Sequence, residues 1–208
     1  MLDFSKAELK EIVRKVIADL DQTFPIGISN RHIHLTPAHF EQLFPGQSIE
    51  KLRDLKQPGE FAAKQTVTLI GPKGKIERVR ILGPFRNRSQ VEVSKTDARL
   101  LGINPPIKLS GDLDEAVEIT LMTEAASITI PAAIIAQRHI HLNHEDMKRL
   151  DLHKDESVSV EILSGERGTV YHEVALRPHE KFIMEMHIDT DEANAANVTT
   201  ETRARIIR

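Results

Sequence analysis

The sequence predicts a mainly β protein of two tandem domains with one ancestor, in small barrels or sandwiches capped by short helices and preceded by an amphipathic helix. Three observations predict it. The pentapeptide Arg31-His32-Ile33-His34-Leu35 recurs letter for letter as Arg138-His139-Ile140-His141-Leu142, with His139 lying 107 residues after His32 in a chain of 208. Short apolar runs with period-two alternation, broken by Gly and Pro turn signals, fill most of the chain. There is no regular alternation of strands with helices and no glycine-rich phosphate loop, so a doubly wound α/β fold is not expected.

Residues 3–20 read as the amphipathic helix, because Leu9, Ile12, Val13, Val16, Ile17 and Leu20 recur at helical spacing. Ser5 is the expected cap and Glu8 completes a capping box. This helix either packs on its own domain or docks on a partner or shell. Strands are expected at 26–29, 67–70, 76–82, 91–93, 117–123, 127–130, 158–163, 169–176 and 182–188. Short helices are expected after Thr36 and Asn143, and around 49–56, 96–101 and 191–197. The repeat divides the chain into an N-terminal helix at 1–20, a first domain at 31–137 and a second at 138–208. Downstream, Val67-Thr68-Leu69 pairs with Val158-Ser159-Val160, and Val91-Glu92-Val93 with Met184-Glu185-Met186.

Composition narrows the chemistry. Apolar residues make up 40% and charged residues 28%, so a globular core is expected rather than disorder or fibre. Neither a long apolar run nor a cleavable leader is evident, and a soluble intracellular protein without membrane contact is expected. With no cysteine, any soft metal must be held by His and carboxylate, and ten histidines are present. A net charge of −3 and no Trp argue against nucleic acid as a partner.

In a strand, residues two apart share a face, so His32 and His34 point together, as do His139 and His141. Each pair is a preformed bidentate site for a divalent metal, zinc or another, and needs a third ligand from a second strand. Glu92 is the candidate in the first half, on the same face as Gln90 and Ser94. Glu185 and His187 share a face in the second half, and His187 is the better ligand. The loop Gly83–Gln90 brings Arg86 and Arg88 beside the carboxylate, which suits an anionic oxygen ligand such as phosphate. Arg78 and Arg80, on the preceding strand, suit a second anionic portion such as a nucleotide diphosphate.

At five places the chain resembles the microcompartment-type phosphotransacylases, also called phosphate propanoyltransferases. They are Ser29-x-Arg31-His32-Ile33-His34-Leu35; Leu55-x-Gln57-Pro58-Gly59-Glu60-Phe61-Ala62; Gly83-Pro84-x-Arg86-x-x-x-Gln90-Val91-Glu92-Val93-Ser94; Arg138-His139-Ile140-His141; and His187-x-Asp189-x-Asp191-Glu192-Ala193-Asn194. The resemblance implies two small β-barrels with the active site between them, the strand at 24–30 joining the second barrel. It implies two metal ions, usually zinc, one on His32, His34 and Glu92 and the other on His139, His141 and His187. It further implies Arg86 as the catalytic phosphate holder, and Ser29, Arg80, Leu82, His187 and Asn194 as contacts of coenzyme A. The implied reaction is acyl-CoA plus phosphate giving acyl phosphate plus CoA, with propanoyl or acetyl as the acyl group. Its competitors are a dinuclear metallohydrolase and a metal-stabilised binding module. The implied location is the cytoplasm, with a homo-oligomer and attachment of residues 3–20 to a microcompartment shell as open alternatives.

Overall fold

A computed structural model describes Ser5, Lys6, residues 8–13 and residues 22–207. Among the described residues, fourteen strands follow in order: β1 (Thr23–Ser29), β2 (His32–His34), β3 (Lys51–Asp54), β4 (Phe61–Ile70), β5 (Lys75–Gly83), β6 (Gln90–Glu92), β7 (Ile107–Lys108), β8 (Val117–Met122), β9 (Ser127–Ala136), β10 (His139–Leu142), β11 (Ser157–Leu163), β12 (Thr169–Pro178), β13 (Glu185–Asp189) and β14 (Arg203–Ile207). They close into two six-stranded rings. The first runs β4-β5-β2-β6-β9-β8 and returns to β4, with β3 and β7 attached outside it. The second runs β11-β12-β10-β13-β1-β14 and returns to β11.

The rings match strand for strand. Each His strand lies parallel to one neighbour, β5 or β12, and antiparallel to the other, β6 or β13. The strand that completes the second ring is β1, from the start of the chain, whereas β9 fills that role in the first. β1 therefore leads from the second barrel directly into β2 of the first, and β9 from the first directly into β10 of the second. This exchange brings both His strands to the junction between the barrels.

Alternation then decides which face carries chemistry. Ile33 and Leu35 point into one core with Val91, and Ile140 and Leu142 into the other with Met186, all of them fully buried. The histidines between them face away from the barrel interiors. Each His strand ends at a helix cap, where Thr36 accepts from the His39 amide and Asn143 from those of Glu145 and Asp146. Ser94 and Asp189 cap the helices that follow β6 and β13. Arg31 reaches Asp97 at 3.0 Å and Arg138 reaches Glu192 at 2.9 Å, so the duplicated Arg ties each His strand to the helix after its partner strand.

The expected helix at 49–56 is instead the exposed strand β3, paired with β4. Ile49, Leu52 and Leu55 mimic a helical stripe, but Leu52 is exposed, and the backbone is satisfied across the hairpin. The strand expected at 182–188 begins only at Glu185, and the short β7 and the barrel-closing β14 lie outside the expected strands. The repeat alignment also shifts by two residues. His32 faces Glu92 and His139 faces His187 in register, so Glu92 corresponds to His187 and not to Glu185. At the N-terminus, residues 8–13 are helical and Ser5 and Glu8 form the expected capping contacts. Leu9, Ile12 and Val13 are exposed, Lys6 is also helical, and residues 3, 4, 7 and 14–20 of the expected helix lie outside the described residues. Among the described residues, no helix is long and apolar enough to cross a membrane.

The tightest glycine against backbone is Gly71. A Cβ on Gly71, in the β4–β5 turn, would lie 2.3 Å from the carbonyl oxygen of Leu101, which itself accepts from the Lys73 amide at 3.0 Å. Backbone on backbone cannot give way cheaply, so Gly71→Ala is expected to destabilise the protein by about 1–3 kcal/mol. A lower urea midpoint at unchanged slope would show it.

Candidate metal centre

Two groups of three side chains converge at the junction, His32 with His34 and Glu92, and His139 with His141 and His187. Within each group the ligand atoms lie within 4.8 Å of one another. Strand pairing alone accounts for this, because β6 and β13 run beside the His strands in the same register.

In the first group, the His32 Nδ1–H donates to the Asn30 carbonyl at 2.8 Å, which leaves Nε2 facing Glu92 Oε2 at 3.4 Å. Gln90 Nε2 donates to the other carboxylate oxygen of Glu92. Burial would raise the Glu92 pKa, but His32 and His34 beside it hold the carboxyl far below the usual range. Burial pulls the other way on His32, and Glu92 overrides it to raise that pKa. His34 is pushed well down by burial and by the positive charges of His32 and Arg86.

The second group repeats the pattern with a different third member. The His139 Nδ1–H donates to the Gln137 carbonyl at 2.9 Å, so Nε2 carries the lone pair, and it lies 3.1 Å from His141 Nε2. Burial, with His187 and Arg177 nearby, lowers the His139 pKa to about 3. Burial, with His139 and His187 nearby, lowers that of His141 to about 2. Both rings are therefore neutral near pH 7 and able to ligate. The Nδ1 atom of His141 is buried without a hydrogen-bond partner, and the lone pair on His139 Nε2 makes His141 Nε2 the donor between the two rings, the proton a cation bound there would replace. Three imidazoles on one side and two imidazoles with a carboxylate on the other fit divalent zinc-type ions with open positions.

Between the groups lies a cavity of about 740 Å³ that both line, well within the size of a small-molecule site. Arg86 enters it with its Nη1 on Ser110 Oγ at 3.0 Å and its Nη2 3.7 Å from Glu60. Arg177 enters from the other barrel, and burial lowers the pKa of both guanidiniums despite Glu92 and Glu60 nearby. Two partly desolvated guanidiniums beside the two triads have the charge and geometry to suit a small oxyanion.

Of the sequence-derived residues, Ser29, Arg80, Leu82 and His187 line this cavity along with Arg86 and the two groups. Arg80 also spends Nη1 on the carbonyls of Ala63 and Lys64. Asn194 does not line it and belongs to a separate pocket with Lys95, Arg99 and Arg167. Sequence reasoning missed Arg177, which stands beside His141 in register across β10 and β12, and Ser110, which holds Arg86. The turn at 55–60, visible only as a motif, supplies Lys56, Gln57 and Glu60 to the cavity wall.

The phosphate propanoyltransferase family profile matches residues 25–199. A protein named phosphate propanoyltransferase from Levilactobacillus brevis is 50% identical over 202 residues, covering 96% of this chain and 97% of its own. Proteins of the same name from Limosilactobacillus reuteri and Salmonella typhimurium are 49% and 48% identical over 193 residues, covering 91% and 92% of this chain and 90% and 92% of their own.

Proposed function

The chain belongs to the phosphate propanoyltransferase family and is accordingly a phosphate acyltransferase; we propose that it transfers an acyl group reversibly between coenzyme A and inorganic phosphate, with two metal ions, zinc by preference, and a short acyl group, propanoyl or acetyl. The observation that carries the reading is the pair of triads facing one cavity together with Arg86 and Arg177.

In this reading His32, His34 and Glu92 hold one ion and His139, His141 and His187 the other. When bound, the ions supply Lewis acidity to the thioester carbonyl and a soft acceptor for the departing thiolate. Arg86, braced by Ser110, holds phosphate in a fixed orientation that replaces its water shell, and Arg177 adds a second positive group from the opposite barrel. A phosphate oxygen attacks the thioester carbon, a carbon–oxygen bond forms, the carbon–sulfur bond breaks, and the acyl phosphate and CoA leave. With no cysteine in the chain, a Cys-bound acyl enzyme is excluded, and direct attack with both substrates in one complex is the proposed course. Ser29, Arg80 and Leu82 on the cavity wall would contact CoA, while Asn194, outside the cavity, is left out of the assignment.

The test is ultraviolet detection of thioester from CoA with acetyl or propanoyl phosphate. Thioester formation that stops when a chelator strips the protein is the expected result. Release of phosphate at the same rate without CoA would instead identify a hydrolase.

A further inference from the structure

Glu185 is 5% exposed and lies outside both triads. Its Oε2 sits 3.0 Å from His187 Nε2, and its Oε1 accepts from Lys56 Nζ at 2.8 Å. Gln57, 2% exposed, donates to the Ile183 carbonyl at 3.0 Å and accepts from the Ile183 amide at 3.2 Å. Lys56 and Gln57 come from the β3–β4 turn of the first barrel, whereas Ile183, Glu185 and His187 lie just before or within β13 of the second. One turn of the first barrel thus grips the strand that carries the third member of the second triad.

The duplication provides an internal comparison. Gln90 occupies the position of Glu185, since Gln90 faces His34 and Glu185 faces His141. Gln90 donates to Glu92 and is itself held by Ser110 and the Gly111 amide. In both halves the residue two before the third triad member supports it, and the polarity matches: an amide donor beside a carboxylate, a carboxylate acceptor beside an imidazole. The halves differ in where the support comes from. Gln90 is braced within its own barrel, Glu185 by the other one. A carboxylate on one ring nitrogen fixes the ring's orientation and leaves the second nitrogen for a cation.

We propose that Glu185 is the positioning residue of the second triad, and that Lys56 and Gln57 make metal retention by His139, His141 and His187 depend on the grip of the first barrel on the second. This rests on the metal reading above.

The experiment follows loss of zinc from the purified holoprotein to a chromogenic chelator, with His141→Ala identifying the second-site phase. Glu185→Ala is expected to speed that phase at least tenfold, as removal of such supporting partners does, and to leave the other unchanged. Gln57→Ala should speed the same phase, and Glu185→Gln, whose amide oxygen still accepts from the ring, should restore much of the retention. Unchanged kinetics in Glu185→Ala, or equal acceleration of both phases, overturns the proposal while leaving the metal reading intact. A wild-type protein that retains no zinc overturns both.

Discussion

His139→Ala is expected to lower acyl transfer roughly a thousandfold and, on the proposed two-metal reading, to cost the protein the ion at the second triad. The size follows from removing the charge stabilisation proposed at the reacting carbonyl. The specificity follows from position: the side chain packs at the junction, with Ile140 and not His139 in the core, so the barrel should survive the truncation. Elemental analysis and circular dichroism on the same preparation check both halves of the statement. Retention of both ions with full activity would remove His139 from the site.

Arg86→Ala should separate binding from metal. If the Arg86 guanidinium orients phosphate as proposed, its loss is expected to lower kcat/KM for phosphate about a hundredfold, with metal content unchanged. Arg86→Lys should recover only part of this, since a point charge lacks the planar pair of donors. KM for CoA should move little. Equal metal loss in Arg86→Ala and His139→Ala would mean that Arg86 supports Glu92 through Ser110 and Gln90 rather than meeting phosphate.

Much of this arrangement is legible locally. Strand alternation places His32 with His34 and His139 with His141, and the same arithmetic brings out Glu92 and His187, because period two is a property of the backbone itself. What was not legible depends on contacts far apart in sequence. The segment between each His pair and its third partner differs in length between the halves, and that hides the equivalence of Glu92 and His187 until the registers are seen. Arg177 has no local signal and gains its place only because β12 lies beside β10. The turn at 55–60 looks like an ordinary Pro-Gly turn, yet it crosses to the other barrel, and the neighbouring 49–56 stripe reads as a helix although pairing with β4 makes it a strand. The exchange of β1 and β9 between the barrels is a matter of topology, to which composition and periodicity are blind.

The central claim is that two metal-bearing triads act on one substrate pair in one cavity. Its most direct test is to strip the protein of metal and follow thioester formation while zinc is added back in measured equivalents. The account predicts negligible activity at zero, and full activity only as the second equivalent per chain is taken up. Full activity in the metal-free protein, or after a single equivalent, would contradict it.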